Sequence, residues 1–303
     1  MGALAADRQS RIRARPGPRP LNAARRGAGF TLPELIIVIV VGSVIAATLT
    51  VFFRPALDSW LALRVRGDLT AQASAALYTM KRDVRLAVPN SIRSPGDQCF
   101  ELVPTSAGGR FRKDVDTVNA GSMPLDLNAG STQFDVLSPL AAMPAVGDWV
   151  VVDNQNPGDV YAGSNRAAVS AVGGALANVR LSSITLAGAI DDSGYQGGRF
   201  VTVPNAQQAV FYVCSGAGLS GGNGTGTLTR YSRYGFNAAY PGACAAPGGT
   251  AAVLATRVKS CRFIYSPTAG ATQQNGFVSM QLELTRNNET VSLLMGAHVM
   301  NAP

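Results

Sequence analysis

Arg25-Arg26-Gly27-Ala28-Gly29-Phe30-Thr31-Leu32-Pro33-Glu34 leads into Leu35 to Phe53, a run without a single charge, which Arg54 closes. From Phe30 to Phe53 the 24 residues would make a helix about 36 Å long, enough to cross the hydrocarbon core of a bilayer. Glu34 stands inside this segment. A carboxylate there is costly, is tolerable when paired with a cation, and marks a functional site by default. A secretory signal would be cut after its apolar core at a small-residue site. Ala46-Ala47-Thr48 is a poor site of that kind, and Leu49, Val51, Phe52 and Phe53 carry the apolar run past it. A plain membrane anchor fits the length but leaves Glu34 and the Gly29-Phe30 junction unexplained. Pro33 falls in the first helical turn, where a missing N–H costs little.

The formal net charge is +8, from 26 basic and 18 acidic residues. Arg8, Arg11, Arg13, Arg15, Arg19, Arg25, Arg26 and Asp7 all precede Phe30, which leaves 19 basic and 17 acidic residues for the rest. The basicity is therefore mainly a property of the leader. It favours cytoplasmic retention of the leader under the positive-inside rule. It argues against nucleic-acid binding, which needs a basic patch in the folded domain. Everything after Arg54 then lies outside the cytoplasm. The four cysteines, Cys99, Cys214, Cys244 and Cys261, have no CxxC spacing and read as two disulfides in an oxidising compartment. Three pairings are open. Cys214–Cys244, which would staple a glycine-rich excursion, and with it Cys99–Cys261, is the favoured one. Zinc is disfavoured because the cysteines are far apart in sequence and His298 is the only histidine.

Helical character continues beyond the apolar run. Pro55 to Val88 is rich in Ala, Leu and Arg. Leu69, Ala73, Ala76, Met80, Val84 and Ala87 recur at spacings of three and four, one face of an amphipathic helix. Pro55 should kink or loosen the helix, and Pro89-Asn90 should end it. A continuous helix from Phe30 to Val88 would measure about 89 Å. Its first half calls for lipid or other helices around it. After Pro89, Gly and Pro punctuate short β-branched and aromatic runs. The expected strands are 100–103, 133–137, 149–153, 167–172, 179–186, 200–203, 209–214, 227–232, 258–265, 278–284 and 291–299. The last two flank Thr285-Arg286-Asn287-Asn288-Glu289 as a hairpin, and Val278 to Leu284 alternates as a strand with one solvated face. The fold expected is α+β, a long N-terminal helix packed on an antiparallel β-sheet head. Its parts are a leader (1–29), a membrane helix (30–54), an amphipathic continuation (55–88) and a β-rich head (89–303).

Gly29, Phe30 and Glu34, set between a basic leader and an uninterrupted apolar helix, resemble the signal of the type IV pilin-like family. The resemblance implies that a prepilin peptidase cuts after Gly29 and methylates the new Phe30 amine. It also implies that Glu34 pairs with the N-terminal amine of a neighbouring subunit during docking. At 29 residues the leader is long for this class, which reads as a start downstream of Met1 or a disordered basic tail. Met80 to Arg93, Cys99-Phe100-Glu101-Leu102-Val103-Pro104 and His298-Val299-Met300-Asn301-Ala302-Pro303 are similar to the MshO family of MSHA-type pilus biogenesis proteins. The J-type minor pseudopilins of type II secretion share the helix-end pattern. The resemblance thus implies a minor pilin that is not an enzyme and needs no cofactor. It would sit in the bacterial inner membrane with a cytoplasmic N-terminus and a periplasmic head. Its partners would be the membrane, prepilin peptidase, other pilin subunits and the assembly machinery.

Rival readings have weaker residues behind them. Gly218-Leu219-Ser220-Gly221-Gly222 matches a nucleophile elbow in form, with Glu283 and His298 following in order, and would make an anchored hydrolase. An elbow needs a strand, a sharp turn and a helix, whereas Ser215 to Gly226 reads as a flexible glycine-rich loop. His298 reads as a structural histidine on an apolar strand. Asp153-Asn154-Gln155-Asn156-Pro157-Gly158-Asp159 offers oxygen ligands suited to calcium, but this composition also makes ordinary turns, and no metal site is expected. Asp191-Asp192-Ser193-Gly194 is weaker. Asn223-Gly224-Thr225 and Asn288-Glu289-Thr290 match a glycosylation pattern only in form. A membrane-anchored binding or adhesion domain that never polymerises is the remaining alternative.

Overall fold

A computed structural model of the chain describes residues 29–190, 197–268 and 275–300. The leader through Ala28, the Asp191-Asp192-Ser193-Gly194 segment and the Asn301-Ala302-Pro303 ending lie outside the described residues. The chain divides after Leu57 into two units. One helix, α1 (Leu32–Arg85), contributes to both, and its α-helical geometry continues through Pro55.

In the second unit α1 is followed by β1 (Arg93–Gly96) and β2 (Cys99–Leu102). Next come β3 (Ala107–Arg110), β4 (Gln133–Val136), β5 (Trp149–Val152), the one-turn α2 (Asp159–Ala162), β6 (Arg166–Gly173), β7 (Ser182–Leu186) and β8 (Arg199–Val203). The rest is β9 (Val210–Ser215), the two-residue β10 (Leu219–Ser220) and β11 (Asn223–Gly224), β12 (Gly226–Ser232), β13 (Thr250–Ser266), β14 (Asn275–Arg286) and β15 (Glu289–Met300). The main sheet has the order β1-β2-β9-β12-β13-β14-β15, antiparallel throughout.

The helix meets this sheet through the face that the spacing marks. Leu69, Ala73, Ala76, Met80, Val84 and Ala87 are buried, joined by Leu77, and they pack on Phe100, Val210, Leu228, Phe263, Met280 and Leu282 among others. Burying a side chain of this size contributes about 1.5–3 kcal/mol. On β14 the alternation holds: Val278, Met280, Leu282 and Leu284 are fully buried, while Ser279, Gln281 and Glu283 face outward. The helix stops at Arg85, three residues before the expected Val88, because the chain there turns to β pairing. Ala87 bridges Pro104, and the Val88 amide donates to the Val103 carbonyl (2.8 Å).

A second sheet is inserted between β2 and β9, with the order β3-β8-β5-β6-β7-β4. Its outer strands meet. The Leu137 amide donates to the Arg110 carbonyl (2.8 Å) and the Arg112 amide to the Asp135 carbonyl (3.0 Å), so the sheet closes into a small barrel. Phe111, Phe134, Val136, Val150, Ile184 and Phe200 fill it. This barrel is an addition to the single helix-on-sheet layer expected of the head. It joins the main layer through Val88, Val103, Val151, Val160, Tyr161, Val203 and Ala209.

The disulfides correct the favoured pairing. Cys99 is bonded to Cys244 and Cys214 to Cys261. Cys214 and Cys261 lie on β9 and β13, which both flank β12. Cys244 lies in the loop after β12 and reaches back to β2. The glycine-rich segment needs no staple. Gly221 and Gly222 (φ 52° and 74°) make the tight turn of the β10–β11 hairpin. Gly224 passes so close to the Arg257 carbonyl that a Cβ would overlap it. The Asn288 amide donates to the Gly222 carbonyl (2.8 Å). The segment read as a flexible loop is thus a hairpin folded onto β13 and the β14–β15 turn.

Candidate functional site

The candidate site is the start of α1, within the first unit. The Leu35 amide donates to the Thr31 carbonyl (3.1 Å), so Thr31 caps a helix whose first turn holds Pro33 and Glu34. The helix dipole favours a carboxylate at this end. Gly29, Phe30 and Glu34 are all exposed, Phe30 at 78%. Glu34 makes no ion pair among the described residues. The Gly29–Phe30 bond and the Glu34 carboxylate are therefore both open to a second molecule.

Leu35 to Phe53 is exposed all round. Its polar side chains satisfy themselves internally. The Ser43 hydroxyl donates to the Val40 carbonyl (2.8 Å), Thr48 to Ile45 (2.8 Å) and Thr50 to Ala46 (2.8 Å). Hydrocarbon demands this arrangement, because it offers a hydroxyl no partner. By length and composition α1 can cross a membrane.

The other candidate residues are not brought together for chemistry. Ser220 sits at the tip of the β10–β11 hairpin, with a strand and not a helix after the turn. Glu283 accepts from the Ser260 hydroxyl (2.9 Å) and pairs with Lys259 (3.3 Å). The Ser260 bond, with Lys259, holds the Glu283 carboxyl below its usual range. His298 is exposed on β15 and packs against Phe277, with 4.9 Å between ring centroids, in keeping with a structural histidine. In the oxygen-rich loop, Asp159 accepts from the amide (2.9 Å) and side chain (3.0 Å) of Asn156, and the Asn154 side-chain oxygen Oδ1 accepts from the Val160 amide (3.0 Å) and the Asn165 side-chain amide (2.8 Å). These groups build the turn.

The polar groups that organise the head were not apparent from sequence. Asp83 of α1 accepts from the Tyr212 hydroxyl (2.7 Å) and from Arg230 (2.9 Å), and so ties helix to sheet. Burial, with Asp83 alongside, holds the Tyr212 phenol well above its usual range. Arg93 and Glu101 pair in the interior, with the Arg93 guanidinium 3.4 Å from the Tyr161 ring centroid of the inserted barrel. Asp135, fully buried at the barrel seam, receives Arg112 (2.9 Å) and Arg180 (3.1 Å).

An exposed, uncharged membrane-length helix behind a cleavable-looking junction, carrying an α+β head, defines a membrane-anchored subunit of pilin-like layout. Residues 24–50 match the family described as the prokaryotic N-terminal methylation motif. That motif is the prepilin-type signal. It supports a type IV pilin-like or pseudopilin-like subunit, processed by prepilin peptidase and assembled with pilin machinery. The match covers the signal and the first part of α1, not the head. No curated protein and no solved structure matches the chain.

Proposed function

We propose that the protein is a minor pilin of an MSHA-type type IV pilus, a structural and assembly subunit. The observation that carries this reading is the spacing of Gly29, Phe30 and Glu34 directly ahead of the uncharged run Leu35 to Phe53, which is exposed throughout. Prepilin peptidase cuts after Gly29 and methylates the Phe30 amine. The helix holds the subunit in the inner membrane, N-terminus inside and head in the periplasm, where the two disulfides can form. On assembly the helix exchanges lipid for neighbouring pilin helices, and Glu34 pairs with the cationic N-terminus of an adjacent subunit. A buried carboxylate is stable only with such a partner. The head, enlarged by its barrel, supports a position of low copy number, since a large head is hard to repeat densely along a filament.

A J-type minor pseudopilin of type II secretion is the second reading, since such subunits share the helix-end pattern at Met80 to Arg93. Complementation of a deletion strain separates them. Wild type should restore pili, and Glu34→Ala should not, although its head melts like wild type. Restoration of protein secretion instead of pili would select the pseudopilin. Normal filaments with Glu34→Ala would refute the docking role.

A further inference from the structure

Large apolar side chains stay exposed on α1 past the end of the uncharged run, but only over a short stretch. Where the helix enters the second unit, Trp60 is 55% exposed, Leu61 52% and Leu63 67%. Beyond Leu63 the next large exposed apolar residue of the helix is Tyr78. In between, Val65, Leu69 and Ala73 turn their apolar surface to the core of the head. The exposed apolar surface thus gathers beside the span and then stops. A partner helix lying along α1 would need a stripe that continues, whereas a layer of fixed depth needs one that ends.

The neighbouring charges divide in the same way. Arg66 pairs with Glu289, and Asp68 pairs with Arg286 (2.9 Å), which fixes the β14–β15 turn beside this part of the helix. Arg64 makes no ion pair among the described residues, and its guanidinium carbon lies 5.3 Å from the Trp60 ring centroid. Trp60 follows Phe53 by seven residues in one helix, about 10 Å of rise. Helical side chains lean toward the N-terminus, here back toward the span. The headgroup layer adds roughly 5–8 Å to each side of the hydrocarbon, so the indole reaches it. Tryptophan collects in that layer because its ring is apolar and its N–H polar. An arginine beside it lays its stem on apolar surface and keeps its charge among the headgroups.

We infer that Trp60, Leu61, Leu63 and Arg64 form a lipid-headgroup contact in the leaflet on the head's side of the membrane. The indole and the two leucines meet the boundary between acyl chains and headgroups, and Arg64 meets a lipid phosphate. The inference rests on the reading of α1 as a membrane span. Through Arg66–Glu289 and Asp68–Arg286, this contact holds the β14–β15 end of the head at the membrane surface.

The test uses the full chain in vesicles of phosphatidylcholine and phosphatidylglycerol. Trp60 and Trp149 are the two tryptophans, so the difference in emission between wild type and Trp60→Phe, both with Trp149 intact, reports Trp60 alone. Lipids brominated near the headgroup should remove most of that signal, and lipids brominated near the bilayer centre should remove little. Arg64→Glu, which sets a carboxylate against lipid phosphate, should lose part of the quenching by the shallow bromines. Protein that floats with the vesicles while neither lipid quenches Trp60 would overturn the inference and leave the span standing. Stronger quenching by the deep bromines would also overturn it, since Trp60 would then lie in hydrocarbon. Unchanged quenching in Arg64→Glu would refute the part given to Arg64. Protein that does not float with the vesicles would refute the span, and the contact with it.

Discussion

Arg93 and Glu101 form an ion pair in which each side chain is 1% exposed, with Arg93 Nε donating to Glu101 Oε2 at 3.0 Å. The Tyr234 hydroxyl donates to the other Glu101 oxygen (2.7 Å), and Arg93 also donates to the Asn237 carbonyl (2.8 Å). The pair therefore joins β2, the loop after β12 and, through Tyr161, the barrel. Losing one partner would strand a charge in the interior.

Arg93→Met should destabilise the head by about 3–5 kcal/mol at neutral pH. Burial pushes the Glu101 carboxyl up from its ordinary value of 4.5, against Tyr234 and Arg93, which hold it down. A carboxyl raised in the folded state contributes stability that is fully present below its unfolded value and is lost as pH rises through the folded one. Without Arg93 the carboxyl rises further. The Tm gap between wild type and Arg93→Met should then be small near pH 4 and widen toward pH 7. Near-UV circular dichroism melts across that range check it, and a gap that narrows with rising pH would contradict it. Arg93→Met with Glu101→Leu should recover much of the loss.

The Asp83 cluster predicts a graded series. Tyr212→Phe removes one hydrogen bond to a charged acceptor and should cost about 1.5–3 kcal/mol. Arg230→Met removes the closer of two cations at a carboxylate only 5% exposed, leaving the more exposed Arg82 at 3.4 Å, and should cost more, up to about 3–5 kcal/mol. Urea unfolding of the two variants should give this order. Equal costs would mean that Arg82 compensates Asp83 once Arg230 is gone.

The glycine-rich hairpin separates packing from catalysis. Gly224→Ala would drive a Cβ into the Arg257 carbonyl and should lower stability by about 1–3 kcal/mol, the usual cost of overpacking. Ser220→Ala, at the exposed tip, should stay within about 0.5 kcal/mol of wild type. Thermal melts of both decide this. An unaffected Gly224→Ala protein would mean that the hairpin does not rest on β13.

The sequence showed those elements whose signal is local. The spacing from Leu69 to Ala87 marked the buried helix face, and the alternation from Val278 to Leu284 marked a half-buried strand. Each segment expected to be a strand overlaps an observed one. What was missed depends on chain segments far apart. The barrel closes through bonds between Arg110–Arg112 and Asp135–Leu137, and nothing in either segment announces the other. Disulfide pairing follows strand order, which sets β9 and β13 on either side of β12, so proximity in sequence favoured Cys214–Cys244 wrongly. The glycines of Ser215 to Gly226 signalled flexibility by composition, yet two of them serve a tight turn and Gly224 a close approach. Arg93 carried no local signal because its partners come from several elements. At the N-terminus the residues of the motif lie within ten positions of one another, which is why the methylation motif was legible from sequence.

The central claim is that the chain is cut at Gly29 and works from Phe30. Mass spectrometry of the N-terminal peptide of the membrane-bound protein tests it most directly. The account predicts a peptide that begins at Phe30 with a methylated amine. An N-terminus at Met1, or one near Ala47, would contradict it.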